Sequence, residues 1–186
     1  MADENVERYT NLADQFGARV EAAADDAWDK ASPCEGWAAR DVVKHVTDTQ
    51  RGITWKINGN DGDPPAAATD DPKALWRDSY GAFKEALAKP GALDQNLQTP
   101  MGEMPAPMFL GRILSSDILV HTWDLARAVG GDEKLDADAV KQAYSGMKPM
   151  DAMIRQPGIF GAKVDPAADA DEQEQFLNFL GRVTRP

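Results

Sequence analysis

The chain holds two histidines, His45 and His121, so any imidazole chemistry must use one or both. Asp117 precedes His121 by four residues, which on a helix puts the two side chains on one face. A carboxylate and an imidazole one turn apart can grip a single metal ion. His45 could reach the same point from a second helix. Two imidazoles and one carboxylate would leave coordination positions open, as in a catalytic rather than a closed structural site. The spacing alone is weak. Acidic residues number 31 of 186, so an acid falls three or four residues from a given histidine about half the time, and His45 itself has Asp41 and Asp48 at those offsets. The energetic signal is stronger. Asp117 sits in a run that is apolar over most of its circumference, where an ionised carboxylate is expensive unless paired or metal-bound. A buried, hydrogen-bonded Asp117–His121 pair, or a polar seam, would satisfy the same energetics, so both readings stand at this point.

Other candidates carry less. Asp124, three residues after His121, could replace Asp117 as a ligand, but is expected to cap, orient or hydrogen-bond a neighbour. Cys34 could be a reactive thiol or a ligand. The eight residues from Trp37 to His45 would span about 12 Å of helix, and Cys34 lies beyond that end, so a buried structural cysteine is expected. Arg112 and Arg127 could bind a carboxylate, with surface salt bridging as the default. Trp37, Trp123 and the methionines are expected in the core. Gly130-Gly131 ends a helix rather than opening a phosphate-binding one, and no Ser/His/Asp nucleophile set is supported.

The elements that must position these residues are helical. Val6, Tyr9, Leu12, Ala13, Phe16 and Val20 recur at steps of three and four, which predicts a helix over about 3–24. Turn residues follow at Asp25-Asp26 and Ser32-Pro33-Cys34-Glu35-Gly36-Trp37. A second helix is expected from Ala38 to about Asn58, with Val42, Val43, Val46 and Ile53 apolar and His45 beside them. Ala38 cannot cap it, an omission that costs about 1 kcal/mol against Ser or Thr. Residues 59–70 read as a loop, and Asp71-Pro72 opens a third helix to about Leu87, striped by Trp76, Tyr80, Phe83 and Leu87. Over 92–105, Leu97, Thr99 and Met101 alternate around Pro100, which suggests a short hairpin or extended loop. The fourth helix, Pro107 to Val129, is apolar on most sides apart from Asp117, His121 and Asp124, and stops at Gly130-Gly131. A fifth starts after the cap Asp136, with Met147, Met150 and Met153 expected to pack on the bundle. Residues 155–171 read as loop, and Gln173–Leu180 as a last short helix. The sum is an all-α bundle, read as a single domain over 1–186.

Composition narrows the function classes. Twenty basic against 31 acidic residues give a net charge of −11. Such a chain is repelled by phosphate backbones and anionic lipid, so neither nucleic-acid nor membrane partners are expected. No apolar run is long enough to span a bilayer. The start, MADENVERYT, lacks the layout of a signal peptide, and a single cysteine fits a reducing, cytoplasmic setting.

At the chemistry-bearing residues the sequence resembles a known family. Ser32-Pro33-Cys34-Glu35-Gly36-Trp37, followed by Arg40-Asp41-Val42-Val43-Lys44-His45, is similar to the first motif of the mycothiol-dependent maleylpyruvate isomerase N-terminal domain. The second motif is resembled by Thr99-Pro100-Met101-Gly102-Glu103-Met104-Pro105-Ala106 and by Asp117-Ile118-Leu119-Val120-His121-Thr122-Trp123-Asp124-Leu125-Ala126-Arg127-Ala128. Phe179-Leu180-Gly181-Arg182 looks like the terminal helix of the actinobacterial metal-binding subgroup of this DinB-like superfamily. The resemblance implies a DinB-like four-helix bundle, with a hairpin or extended loop before the fourth helix and additional C-terminal helices. It implies a divalent metal, usually zinc, on His45, Asp117 and His121; nickel, iron and manganese suit the same donors. It also implies mycothiol as cosubstrate, an electrophilic substrate and a homodimer. The expected function is therefore a thiol-dependent transferase or isomerase, with a metal-dependent hydrolase as a variant. A non-catalytic metal-binding or regulatory bundle and a metal-free structural bundle are the alternatives. Three departures from the family pattern stand out. Asp117 replaces a glutamate, Ala38 stands where Thr is common at the second helix's cap, and the residues after Gly131 do not resemble the isomerase's second domain.

Overall fold

A computed structural model describes residues 2–99, 102–155 and 159–185 of the chain. It is mostly helical, with one small two-stranded sheet, and divides into two compact units, 1–132 and 133–186.

In the first unit, α1 (Ala2–Ala22) buries Tyr9, Leu12, Ala13, Phe16 and Val20, the apolar stripe its periodicity requires. A short 3₁₀ turn, Asp25–Ala27, follows and seats Ala27 and Trp28 in the core. The next helix, α2 (Ala39–Ile57), starts after Ala38 with no side-chain cap. The expected cost of that omission is offset from elsewhere. The N–H of Ala39 donates to the Lys30 carbonyl (2.9 Å) and that of Arg40 to the Trp28 carbonyl (3.0 Å), while the Asp41 carboxylate accepts from the Ala38 N–H (2.8 Å). Orphan donors of a helix's first turn need such partners. Here the preceding segment supplies them, so it lies along the start of α2.

The third helix, α3 (Pro72–Leu87), is capped locally: Asp71 accepts from the Ala74 N–H (2.7 Å), and Pro72 occupies the first turn where its missing N–H does no harm. Trp76, Tyr80 and Phe83 are buried as expected, while Leu87 is half-buried and Ala86 takes its place inside. The hairpin alternative for 92–105 is the one adopted: β1 (Asn96–Thr99) pairs antiparallel with β2 (Gly102–Pro105), Asn96 opposite Pro105 and Leu97 opposite Met104. Pro100 and Met101, which the alternation turned on, lie outside the described residues.

The expected fourth helix is built in three pieces: α4 (Ala106–Met108), a π-helical turn (Phe109–Leu114), and α5 (Ser115–Val129). A π turn carries one residue more than an α turn and disturbs the local hydrogen-bond ladder. Carbonyls along this stretch are taken by side chains: Pro107 by Asn5 (3.0 Å), Gly111 by Arg8 (3.3 Å), and Leu110 by the Ser115 hydroxyl (2.9 Å). Gly111 is required for this fit, because a Cβ there would meet Asn5 at 2.2 Å. At the other end Gly130 (φ 73°) closes α5 in the left-handed conformation that glycine adopts without penalty. α1 packs on α3 and α5, and α2 packs on the same two helices, enclosing Phe16, Val43, Phe83, Ile118, Leu119 and Trp123.

The second unit holds α6 (Ala137–Met147), a 3₁₀ turn (Lys148–Met150), α7 (Asp151–Ile154) and α8 (Glu172–Phe179). α6 packs on α8, with the Tyr144 ring 5.5 Å from Phe179 and 5.9 Å from Phe176. Both helices start on aspartate caps, Asp136 and Asp171. The expected packing of the methionines is not what this unit shows. Met153 is 46% exposed, and Met147 and Met150 are half-buried. A single-turn helix such as α7 has one narrow face to bury, and Ile154 occupies it.

Candidate metal centre

The three residues singled out by type and spacing converge. His45 projects from α2 and Asp117 and His121 from α5, two helices in contact. The Oδ1 of Asp117 lies 3.4 Å from His45 Nε2 and 3.6 Å from His121 Nε2, and one ligand atom of each residue falls within 4.8 Å of the others. Zinc holds nitrogen and oxygen donors at about 2.0–2.2 Å, so tetrahedral donors around it are about 3.3–3.6 Å apart. The donor set therefore fits a small divalent ion in chemistry, and its two carboxylate–imidazole separations fit in spacing.

Exposure falls steadily across the cluster. The side chains of His45, Asp117, His121 and Asp124 are 36%, 29%, 10% and 0% exposed. Solvent therefore reaches the cluster from the His45–Asp117 side. On the inner side His121 Nδ1 lies 3.0 Å from Asp124 Oδ2. This is the orienting contact expected of Asp124, and it is the type of bond that fixes the ring of a metal-ligating histidine.

The charges are strongly coupled. Burial opposes protonation of His121, but the Asp117 charge and the Asp124 hydrogen bond outweigh it and push its pKa up to about 10. Burial likewise works against the Asp117 charge, yet His121 and the His45 hydrogen bond hold its carboxyl below the usual carboxylate range. Without a cation the cluster is thus a satisfied ion pair, and metal uptake would have to release the His121 proton.

Two residues expected elsewhere are found at this site. Cys34 is half-buried rather than a deep structural thiol, and its Sγ donates to Asp124 Oδ2 at 3.3 Å. Trp37 is half-buried, its ring 5.1 Å from the His45 ring and stacked 5.9 Å from that of His121. Helix rise placed Cys34 too far away because residues 32–37 do not extend the axis of α2. They fold back on themselves, with Ser32 N–H donating to the Trp37 carbonyl (2.9 Å) and Gly36 at φ 77°. The cluster of turn residues at 32–37 was the available signal. Trp123 is buried as expected, with the Arg127 guanidinium stacked 4.7 Å over its ring, and Arg112 is exposed on the π turn.

Comparison with known proteins covers the same stretch of the chain. Residues 9–126 match the family model described as the mycothiol maleylpyruvate isomerase N-terminal domain, a stretch that lies inside the first unit and includes the cluster. Two uncharacterized proteins of Mycobacterium tuberculosis, from strains CDC 1551 and H37Rv, are each 28% identical over 180 residues, which is 95% of this chain and 97% of theirs. Among solved structures, the mycothiol-dependent maleylpyruvate isomerase superposes with a TM-score of 0.64 at 14% identity, and a histidine-to-alanine mutant of it with 0.64 at 13%. Each superposition covers 85% of this chain and 74% of the other, a likeness of fold.

Proposed function

The chain belongs to the mycothiol maleylpyruvate isomerase N-terminal domain family, and on that premise we propose that it binds one divalent metal ion, zinc by preference, and carries out a thiol-dependent transfer or isomerisation. The ligands are His45, Asp117 and His121, presented by a DinB-like four-helix bundle. The observation that carries the reading is the approach of one carboxylate oxygen to two imidazole nitrogens at 3.4 and 3.6 Å, with solvent on one side only. A bound divalent ion would supply one thing, a thiol held as thiolate at neutral pH.

The chain's own residues do the rest. Among the three ligands only Asp117 is charged, so a divalent ion and its ligands would carry one net positive charge that favours an anionic sulfur, with the Asp124 carboxylate set back behind His121. Asp124 holds His121 in place. Trp37 walls both imidazoles with an apolar face, sheltering the cluster from water. The cosubstrate is a low-molecular-weight thiol such as mycothiol, and its partner is an electrophile that forms a bond to sulfur. Zinc suits two imidazoles and a carboxylate, and nickel, iron and manganese are the other ions these donors accept.

Metal content by mass spectrometry on untagged protein, beside His45→Ala, tests the site. One equivalent in the wild type and little in the variant is expected. No metal in either after zinc loading would leave the Asp117–His121 ion pair as the whole of the cluster. Zinc-loaded protein is then expected to consume an electrophile only when a thiol is present.

A further inference from the structure

We infer that Asp124 is a positioning residue that sets which nitrogen of His121 faces the centre; this rests on the metal reading of the preceding subsection. An imidazole offers two nitrogens and can rotate by half a turn, so a histidine ligand needs something to select the productive orientation and tautomer. His121 has it. Its Nδ1 lies 3.0 Å from Asp124 Oδ2, which leaves Nε2 toward Asp117 Oδ1. Among the described residues His45 has no such partner: its side chain meets Asp117 and the rings of Trp37 and His121. One ligand is pre-set from the protein side and the other is not.

Packing alone gives no reason for a carboxylate at this position. Its side chain is fully buried, in a helix whose neighbouring residues Trp123 and Leu125 are buried as well. Replacing buried charged groups by apolar ones of similar volume is often neutral or stabilising. The same oxygen, Oδ2, also accepts from the Cys34 thiol at 3.3 Å. Two donors converging on one oxygen hold the carboxylate still, and a fixed charged acceptor makes a stronger bond to the imidazole N–H than a neutral one. Asp124 thus acts on the centre through His121 and touches no reactant.

The test uses the whole 186-residue chain and its two histidines, whose ring nitrogens can be followed individually by ¹⁵N NMR. Wild type is expected to show a hydrogen-bonded His121 Nδ1 proton, with or without zinc. Asp124→Asn is expected to weaken that signal, to leave the His45 signals in place and to lower zinc affinity about 10- to 100-fold in a chelator competition. Asp124→Glu restores the charge and is expected to recover part of the affinity. A role in packing alone would not allow this, since the added methylene overfills a closed site. Wild-type zinc affinity and an unchanged His121 signal in folded Asp124→Asn would overturn the inference. A wild type that takes up no zinc, though its Nδ1 proton is visible, would overturn the metal reading and this role with it.

Discussion

The starts of α2 and α3 solve one problem in opposite ways. α3 is capped by its own neighbours, Asp71 and Pro72, and would start at the same place in many contexts. α2 has only Ala38 at that position and takes its partners from the carbonyls of Trp28 and Lys30. The local cap fixes one helix. The borrowed cap fixes a helix and a loop together, and that loop carries Cys34 and Trp37 to the cluster. A missing side-chain cap at α2 thus marks a place where backbone from elsewhere is held against the helix.

The largest effect expected from breaking this contrast is at Trp28. Trp28→Ala removes a buried ring from the segment that caps α2, at a cost of about 3–5 kcal/mol in urea unfolding. Because Cys34 is the chain's one thiol, its reaction with a thiol reagent reports the loop directly, and it should speed up in this variant while the protein is still folded. Trp76→Ala in α3 should cost a similar amount and leave the Cys34 rate alone; equal acceleration in both would erase the distinction. Asp71→Ala comes next, at about 1 kcal/mol and again with no change at Cys34.

Ala38→Thr should do less. A new cap normally contributes about 1 kcal/mol, but the donors it would serve already have partners, so the gain in unfolding free energy should stay within about 0.5 kcal/mol. A full-sized gain would mean that the carbonyls of Trp28 and Lys30 satisfy little. The smallest effect concerns a third local start, that of α8. There Glu174 pairs with Arg185 (2.5 and 2.6 Å), whose hydrogen bonds lower its pKa from 4.5. A carboxylate with a lowered folded pKa stabilises the fold above its unfolded value and loses that contribution as pH falls through the folded one. Amide protection factors at the α8 start, corrected for the intrinsic pH dependence of exchange, should therefore fall below about pH 4.5, and Arg185→Ala should remove most of that fall.

How much of this could be read beforehand follows the same division. The stripes of α1 and α3 were legible because Tyr9, Leu12, Phe16, Trp76, Tyr80 and Phe83 sit at helical spacing, and the caps Asp71 and Asp136 because they are local. For the candidate site, Asp117 and His121 were legible as an i, i+4 pair, but periodicity could give only the face of α2 on which His45 lies. Its approach to Asp117 depends on how α2 and α5 pack. Cys34 and Trp37 were misplaced because a turn through a positive φ at Gly36 and backbone bonds across 28–40 determine where they go, and neither leaves a periodic trace. The π turn was missed for a related reason: along Phe109–Leu114 only Gly111 hints that another helix comes close.

That turn also governs angle. Each residue of an α-helix advances the chain by about 100° around its axis. A stretch holding one residue extra resets the azimuth of everything after it relative to everything before. Upstream lies the hairpin, and downstream lie Asp117, His121 and Asp124. Removing one residue from 109–114 would leave the two halves out of phase, so that either the hairpin swings around the axis or Asp117 and His121 turn away from α2. Asn5 and Arg8 grip the carbonyls of Pro107 and Gly111 in that stretch, so α1 acts as the key that keeps both halves in phase.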